Sequence, residues 1–517
     1  MSEPVVRNRV RRSFYLDSVA LMRLARELAA LSGVDEAALM IGSASNKQVL
    51  ADAGLLADEG RLAGADDLVI AVRAADEEAG RNALEYAESL LERPSAAADG
   101  DRTWRPKTLA SAAETLAGAN LALISVPGEF AAEESRKALK AGLHVMLFSD
   151  NVSFDDERAL KEEARERGRL LMGPDCGTAL IGGVPLGFAN ALPRGDVGIV
   201  SASGTGLQEV SCLIARAGAG ISHAIGVGGR DLSDAVGGIM TLEAIGALDR
   251  DPATRRIVLV SKPPDPGVAD AVFTRVGESR KPFSVCFLGL ASVDAPANVR
   301  FAPTLRGVAE DVIGESLTPG PLRYDATTRG DRDWGWIRGL FTGGSLCAEA
   351  QVILKAAGET VASNAPIPGV AVSRAEGPSG HVLLDLGASE YTVGRPHPMI
   401  DPAQRNKALA GAMEEPGIAV VLLDVVIGYG AHEDPAGEVA ATLAGRARLG
   451  CGAQHERRRA DGPSTVVASV CGTADDPQGY DRQVESLEGA GVIVARSNAE
   501  AAEIALRLAK GEMSDRK

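Results

Sequence analysis

The chain has 517 residues, with 70 Asp and Glu against 54 Lys and Arg for a formal net charge of −16; this length predicts several domains, because single cores rarely grow past about 250–300 residues. The acidic balance excludes non-specific binding to nucleic acid or to an anionic membrane surface, both of which need a basic face. Six scattered cysteines without C-x-x-C spacing, no metal motif and no uncharged apolar run of membrane-spanning length predict a cytoplasmic protein without a disulfide framework or a zinc site.

Residues 1–95 read as a ferredoxin-like or ACT-like α+β module: strand Val10–Leu16, helix Ser18–Leu31, strand Val34–Ile41, strand Asp67–Val72 and helix Glu77–Leu91. Arg7, Arg9 and Arg11 alternate along the first strand and are expected on an exposed face. Pro94–Arg105 is a linker. From 106 to 190 the pattern alternates through strand Leu121–Val126, helix Ala132–Ala141, strand His144–Phe148, helix Asp155–Arg167 and strand Leu170–Met172. A second alternating unit, 191–315, takes strands at Val197, Ala224–Val227, Ile257–Val260 and Ser284–Leu288, with a helix over Met240–Asp249. Residues 316–335, rich in Pro, Gly and charge, form a second linker. A third unit, 336–512, opens at Phe341 and continues through helix Leu346–Ala357 and strands Val382–Leu386, Ala419–Val425, Thr465–Val470 and Val492–Val494. The predicted fold class is α/β: several doubly wound parallel-sheet domains, Rossmann-like and flavodoxin-like, behind an amino-terminal α+β module.

The segment Gly198-Ile199-Val200-Ser201-Ala202-Ser203-Gly204-Thr205-Gly206-Leu207 is a short apolar strand running into a serine and glycine turn and then a helix. Small residues let the backbone approach a ligand, the first N–H groups of the helix point outward, and the helix dipole favours an anion there. Ser201, Ser203, Gly204 and Thr205 are therefore the candidate phosphate or acyl-phosphate cradle; the plainer reading is an ordinary turn capped by Ser203.

A string of motifs across 118–295 resembles the α subunit of succinyl-CoA synthetase and related NDP-forming acyl-CoA synthetases. They are Val126-Pro127-Gly128, Gly173-Pro174-Asp175-Cys176-Gly177, the Gly198–Thr205 turn, Gly226-Val227-Gly228-Gly229-Arg230-Asp231 and Asp251-Pro252-Ala253-Thr254. Residues 340–510 are similar to the CoA-ligase domain of the β subunit, in Leu384-Asp385-Leu386-Gly387 and Val425-Val426-Ile427-Gly428-Tyr429-Gly430. The fused arrangement, together with Gly394-Arg395-Pro396-His397-Pro398-Met399-Ile400-Asp401, resembles the FdrA family. In the synthetase, two helix amino termini cradle a phosphohistidine. The resemblance implies a first cradle at Ser201–Thr205 and a second at Gly428, Tyr429 and Gly430.

Where the synthetase carries its phosphohistidine segment, this chain runs Gly289-Leu290-Ala291-Ser292-Val293-Asp294 with no histidine, and where it has a steadying glutamate this chain has Lys262. The amino-terminal half of the CoA-binding fold and an ATP-grasp domain are not expected in the chain. CoA is the one cofactor the resemblance leaves in question. The FdrA resemblance implies a carbamoyltransferase subunit of oxamate carbamoyltransferase type, in purine or related nitrogen-ring catabolism. It would bind carbamoyl phosphate or phosphate and a small amide or ureido acid, with separately encoded partner subunits in an oligomer. The alternatives are an acyl-CoA synthetase subunit whose partner brings the ATP-grasp domain, and a non-catalytic scaffold or small-molecule sensor.

Lys262, at the end of a predicted parallel strand, and His432 are the candidate catalytic residues. Gly228, Gly229, Arg230, Arg395 and His397 are candidate substrate contacts, each with a plainer reading as a loop, a salt bridge or a pinned turn. Cys176 reads as packing, and Arg457-Arg458-Arg459 beside His455 as a solvated loop.

Overall fold

Four sheets order the chain in the computed structural model, which describes residues 4–14, 16, 18–92, 106, 108–317, 335–373, 380–392, 396–449 and 464–511. The first expected linker, residues 318–334 of the second, Arg395, Cys451 and the His455–Arg459 segment lie outside the described residues.

The amino-terminal module runs β1 (Val5–Arg11), α1 (Ser18–Ala29), β2 (Val34–Ile41), α2 (Ala44–Asp52), α3 (Asp58–Arg61), β3 (Leu68–Ala74) and α4 (Glu77–Glu92), with an antiparallel sheet in the order β1-β3-β2. Strand β1 begins five residues before the expected Val10. Its polar inward residue, Asn8, is satisfied by donating to Leu55 O (2.8 Å) and accepting from Ala57 N (2.7 Å). The strand stops before Ser13, which takes a φ of 46° and whose N–H and hydroxyl donate to Asp67 and Asp66. The arginine face of β1 is exposed at Arg7 and half-buried at Arg9 and Arg11: Arg7 and Arg9 pair with Glu77 and Glu88 of α4, and Arg11 lies over the Phe14 ring.

Next come α5 (Leu109–Thr115), β4 (Leu121–Ile124), α6 (Gly128–Lys140), β5 (His144–Leu147), α7 (Phe154–Glu166) and β6 (Leu171–Met172), with a parallel sheet β4-β5-β6. The hairpin β7 (Thr178–Ile181) and β8 (Val184–Gly187) leaves that sheet and pairs antiparallel with the following one, through Leu180 opposite Ala224. The second large unit is β9 (Arg194–Ser201), α8 (Gly204–Arg216), β10 (Ile221–Gly226), α9 (Ile239–Arg250), β11 (Arg256–Ser261), α10 (Pro266–Gly277), β12 (Phe283–Phe287), β13 (Val299–Phe301) and α11 (Leu305–Ile313). Its sheet order is β13-β12-β11-β9-β10-β7-β8.

The last unit is β14 (Trp336–Phe341), α12 (Gly344–Ala356), β15 (Val361–Ser363), β16 (Ala371–Val372), β17 (His381–Asp385), α13 (Ser389–Thr392), α14 (Ala403–Ala412), β18 (Ile418–Val426), α15 (Pro435–Leu449), β19 (Thr465–Cys471), α16 (Tyr480–Gly489), β20 (Ile493–Ala495) and α17 (Asn498–Ala509). Its parallel sheet runs β16-β15-β17-β14-β18-β19-β20.

In the parallel part of each large sheet the first strand, β9 or β14, is an inner one, and later strands lie on both sides of it. Parallel sheets of this kind open a crevice beyond the carboxyl ends of the strands where the order reverses. The two crevices meet, because Leu207, Val210 and Ile214 of α8 share one core with Leu346, Ala350 and Leu354 of α12 and with Ala501 and Ala505 of α17. Among the described residues no helix is long and apolar enough to cross a membrane.

Candidate functional site

The turn after β9 is ordered from within. Ser201 Oγ, fully buried, donates to Ser203 O (2.7 Å) and accepts from Ser203 N (3.0 Å), so it shapes the loop and has no hydrogen left for a ligand. Ser203 caps α8 by accepting from Gly206 N (3.0 Å). A helix start leaves its first N–H groups without intrahelical partners, and here those of Gly204 and Thr205 make no hydrogen bond among the described residues.

A second helix start faces this one. Ser203 Oγ touches Ser345 Oγ, and Ser345 N donates to Thr205 Oγ1 at 3.4 Å. A side chain at Gly343 would meet Thr205 at 3.0 Å, so glycine allows the two starts to approach. Buried Asp424, at the end of β18, holds the loop before α12 by accepting from Thr342 N and Gly343 N, both at 2.7 Å.

The opposing start is therefore Gly343-Gly344-Ser345, not the expected turn at Gly428, Tyr429 and Gly430. That turn has its amides occupied: Gly428 N donates to Gln478 Oε1 (3.0 Å) and Tyr429 N to Ala189 O (2.8 Å). Gly430 packs against Phe188, and helix α15 begins only at Pro435.

Beside Ser203 lies a small, shallow cleft open to solvent and lined by Asp175, Thr178, Ser201, Ser203, Gly228 and Gly229 among others. Gly228 has a φ of 89° and approaches Pro174 O so closely that an added side chain would meet it at 2.5 Å. Burial pushes the Asp175 carboxyl up to about 6, with Asp150 adding in the same direction. Cys176 is buried, with its thiol pushed up to about 12 by burial, and is packing rather than nucleophile.

Arg230 does not present its charge to the cleft. Its Nη2 pairs with Glu157 (2.7 Å) and donates to Val152 O (2.8 Å), and the guanidinium lies over Phe154. Glu157 in turn belongs to a buried ion cluster: Lys161 Nζ lies 2.7 Å from Glu157 and 2.8 Å from Asp231 and donates to Val227 O (3.0 Å). Asp231 also accepts from Thr241 N and Oγ1, so the cluster fixes the Gly228–Gly229 loop against α7 and α9.

Lys262 follows β11 directly and is exposed, with no ion pair among the described residues. Its charge acts on Asp385 at the end of β17. Asp385 is 7% exposed; its Oδ1 accepts from Gly387 N (3.0 Å), and burial pushes its carboxyl up to about 6. Its Oδ2 lies where a side chain on Gly344 would meet it at 2.6 Å, against the first turn of α12.

His397 packs over Gly387, its Nδ1 accepts from Met399 N (3.2 Å), and burial drops it to about 4, so it is neutral. His432 is away from the paired helix starts. Its N donates to Met399 O and its Nδ1 accepts from Asp434 N, while burial, and then Arg26, lower its proton affinity. It stands among Arg26, Asp401, Glu438 and Asp434, where α1 of the amino-terminal module meets the last unit.

Sequence reasoning missed Gly343–Ser345, Asp424 and the place of Asp385 against the first turn of α12. Asp385 and Phe341 are register partners at the carboxyl ends of β17 and β14, a strand-end position that could have drawn notice.

Residues 340–508 match the CoA-ligase family, and residues 1–106 match AllF, heavy metal-associated domain. The chain is 39% identical over 498 residues to the uncharacterized protein YahF of Escherichia coli (strain K12), a match covering 94% of this chain and 95% of YahF. It is 32% identical over 154 residues to the α subunit of the ADP-forming succinate–CoA ligase of Aquifex aeolicus (strain VF5), spanning 28% of this chain and about half, 48%, of that subunit. A solved structure of the dinucleotide-forming acetyl-coenzyme A synthetase 1 of Ca. Korarchaeum cryptofilum, with phosphate and ADP, aligns over 82% of this chain and 90% of its own at 15% identity and a TM-score of 0.31.

The fold and these matches define an α/β protein with CoA-ligase and acyl-CoA synthetase-like domains behind a small α+β module of the heavy-metal-associated kind. Within that class the chain belongs to the family of YahF. The names that describe an activity speak of CoA ligation, not of carbamoyl transfer. The 106 matched amino-terminal residues contain neither Cys nor His, so soft-metal ligation does not fit this module. Among the described residues no group of three His, Cys, Asp or Glu is placed to hold a metal ion.

Proposed function

We propose that this chain is the acyl-phosphate-handling subunit of an acyl-CoA synthetase-like complex acting on a small acid. The observation that carries the reading is the contact between Ser203 and Ser345, which brings the amino termini of α8 and α12 onto one point. Two such ends supply unpaired N–H groups and positive dipole ends to a phosphoryl group, and Lys262 adds a cation at the rim. Catalysis there rests on positioning and charge neutralisation.

A site for CoA does not emerge from the residues in place. The sheet β4-β5-β6 has three strands, and Leu123 on its β4 edge is 50% exposed, so an adenosine would find one open wall rather than a pocket. In this reading CoA and nucleotide activation belong to partner subunits.

A second reading takes carbamoyl phosphate as the acyl phosphate. Gly289–Asp294 carries no histidine, and the exposed cation at the rim is Lys262, which suits transfer from carbamoyl phosphate without a phosphohistidine. In that second reading the chain is a carbamoyltransferase subunit and the acceptor is a small amide or ureido acid.

Calorimetry of the purified chain with phosphate, acetyl phosphate, carbamoyl phosphate and CoA tests both. Binding of phosphate and acyl phosphates that Ser203→Ala weakens supports the shared reading, and preference for carbamoyl over acetyl phosphate supports the second. CoA binding with indifference to phosphate sinks both.

A further inference from the structure

We propose that Asp385 is a phosphoryl acceptor, its Oδ2 taking the phosphoryl group from an acyl phosphate seated between the starts of α8 and α12. The inference rests on the acyl-phosphate reading of the paired helix starts.

The argument begins with how Asp385 is held. Asn364 clamps its backbone, accepting from Asp385 N (2.8 Å) and donating to Asp385 O (2.9 Å). Gly387 N fixes Oδ1. That leaves Oδ2 as the carboxylate oxygen not held by Gly387, on a residue only 7% exposed. It is aimed at Gly344, the first residue of α12, and Ser345 beside it touches Ser203. Lying against the helix end that would hold a phosphate, this oxygen is placed to meet one.

The groups around it set its charge. Lys262 from β11 favours the carboxylate, whereas Asp424 from β18 and Glu390 from α13 oppose it. With the carboxyl at about 6, the ionised form predominates at neutral pH and is available as a nucleophile. His397, the histidine packed over Gly387, is neutral, with Nδ1 accepting from Met399 N, and is not placed as the carrier.

The step balances without redox change or proton transfer. Oδ2 attacks phosphorus, an O–P bond forms to Asp385, and the bond from phosphorus to the acyl oxygen breaks. The electron pair leaves on the acid as its carboxylate, or as carbamate when carbamoyl phosphate is the donor. One mixed anhydride replaces another, so the group keeps its transfer potential. Lys262 and the N–H groups of Gly204, Thr205 and Gly344 neutralise the charge on the phosphoryl oxygens.

The test incubates the full chain with acetyl phosphate or carbamoyl phosphate and follows intact mass. The expected result is one added phosphoryl group, removed by hydroxylamine, with borohydride reduction placing homoserine at position 385 in the peptide map. Asp385→Asn is expected to lose the adduct entirely while still binding phosphate. Should that variant fail to fold, the map of the unaltered chain decides. Phosphate binding without an adduct, or an adduct on Ser203, Ser345 or His397, overturns the carrier and leaves the acyl-phosphate reading standing. Absence of binding by phosphate and both acyl phosphates overturns the two together.

Discussion

Ser203 and Ser345, 142 positions apart, meet hydroxyl to hydroxyl where two helices from two different sheets begin. Ser203→Ala removes both that contact and the α8 cap. Losing a hydrogen bond to a charged ligand costs about 1.5–3 kcal/mol, so phosphate affinity is expected to fall roughly 10- to 100-fold. The lost cap lowers stability by about 1 kcal/mol. Calorimetry and thermal melting read the two effects separately, and unchanged affinity would count against the cradle.

Lys262 acts through charge at an exposed position. Lys262→Ala is expected to weaken phosphate binding about tenfold in low salt and to lose much of the salt dependence seen in the unaltered chain. Lys262→Arg keeps most of the affinity. Titrations at two ionic strengths check this; equal salt dependence in the Ala variant would remove Lys262 from the site.

The buried cluster around Lys161 is structural. Lys161→Met leaves Asp231 without its cation and Glu157 with Arg230 alone, in a fully buried setting. Breaking such a cluster by removing one partner costs about 3–5 kcal/mol. Denaturant unfolding is the measurement, and a loss under about 1 kcal/mol would contradict the arrangement.

Glu349 on α12 is fully buried, accepting from Asn498 Nδ2 (2.8 Å) and Arg306 N (3.1 Å), and burial pushes its carboxyl from 4.5 up to about 7. The folded state therefore keeps a proton that the unfolded chain releases. Stability contributed by this group is greatest near pH 4.5 and falls as pH rises toward 7. Glu349→Gln is expected to flatten that part of the stability curve, read by denaturant midpoints at pH 5 and pH 8. A curve of unchanged slope in the variant would assign the dependence elsewhere.

The first helix start was legible because strand, small turn and cap follow one another in Gly198–Leu207. Its true partner was not. Gly343-Gly344-Ser345 and Gly428-Tyr429-Gly430 have similar local chemistry, and only tertiary hydrogen bonds separate them: Gln478 and Ala189 occupy the amides of the second. Arg230 looked like a ligand for the same kind of reason, since the spacing of glycines before it says nothing of Glu157 on a distant helix. The alternating pattern placed the inner parallel strands of the three α/β units and passed over the β7–β8 hairpin and the short strands β13, β15 and β16. Strand β1 was displaced because a buried Asn8, satisfied by Leu55 and Ala57, broke the apolar alternation on which such readings depend.

Asn190 donates to Ile427 O (2.9 Å) and Asp476 (2.8 Å), and Asn498 N donates to Glu209 (3.0 Å), so buried hydrogen bonds cross from one large sheet to the other within a single chain. Two halves that would otherwise find each other by diffusion are thus tethered, and their encounter is unimolecular. Occupancy of the joint between α8 and α12 should then be indifferent to dilution, and whatever concentration dependence the protein shows will report the arrival of something other than its own second half.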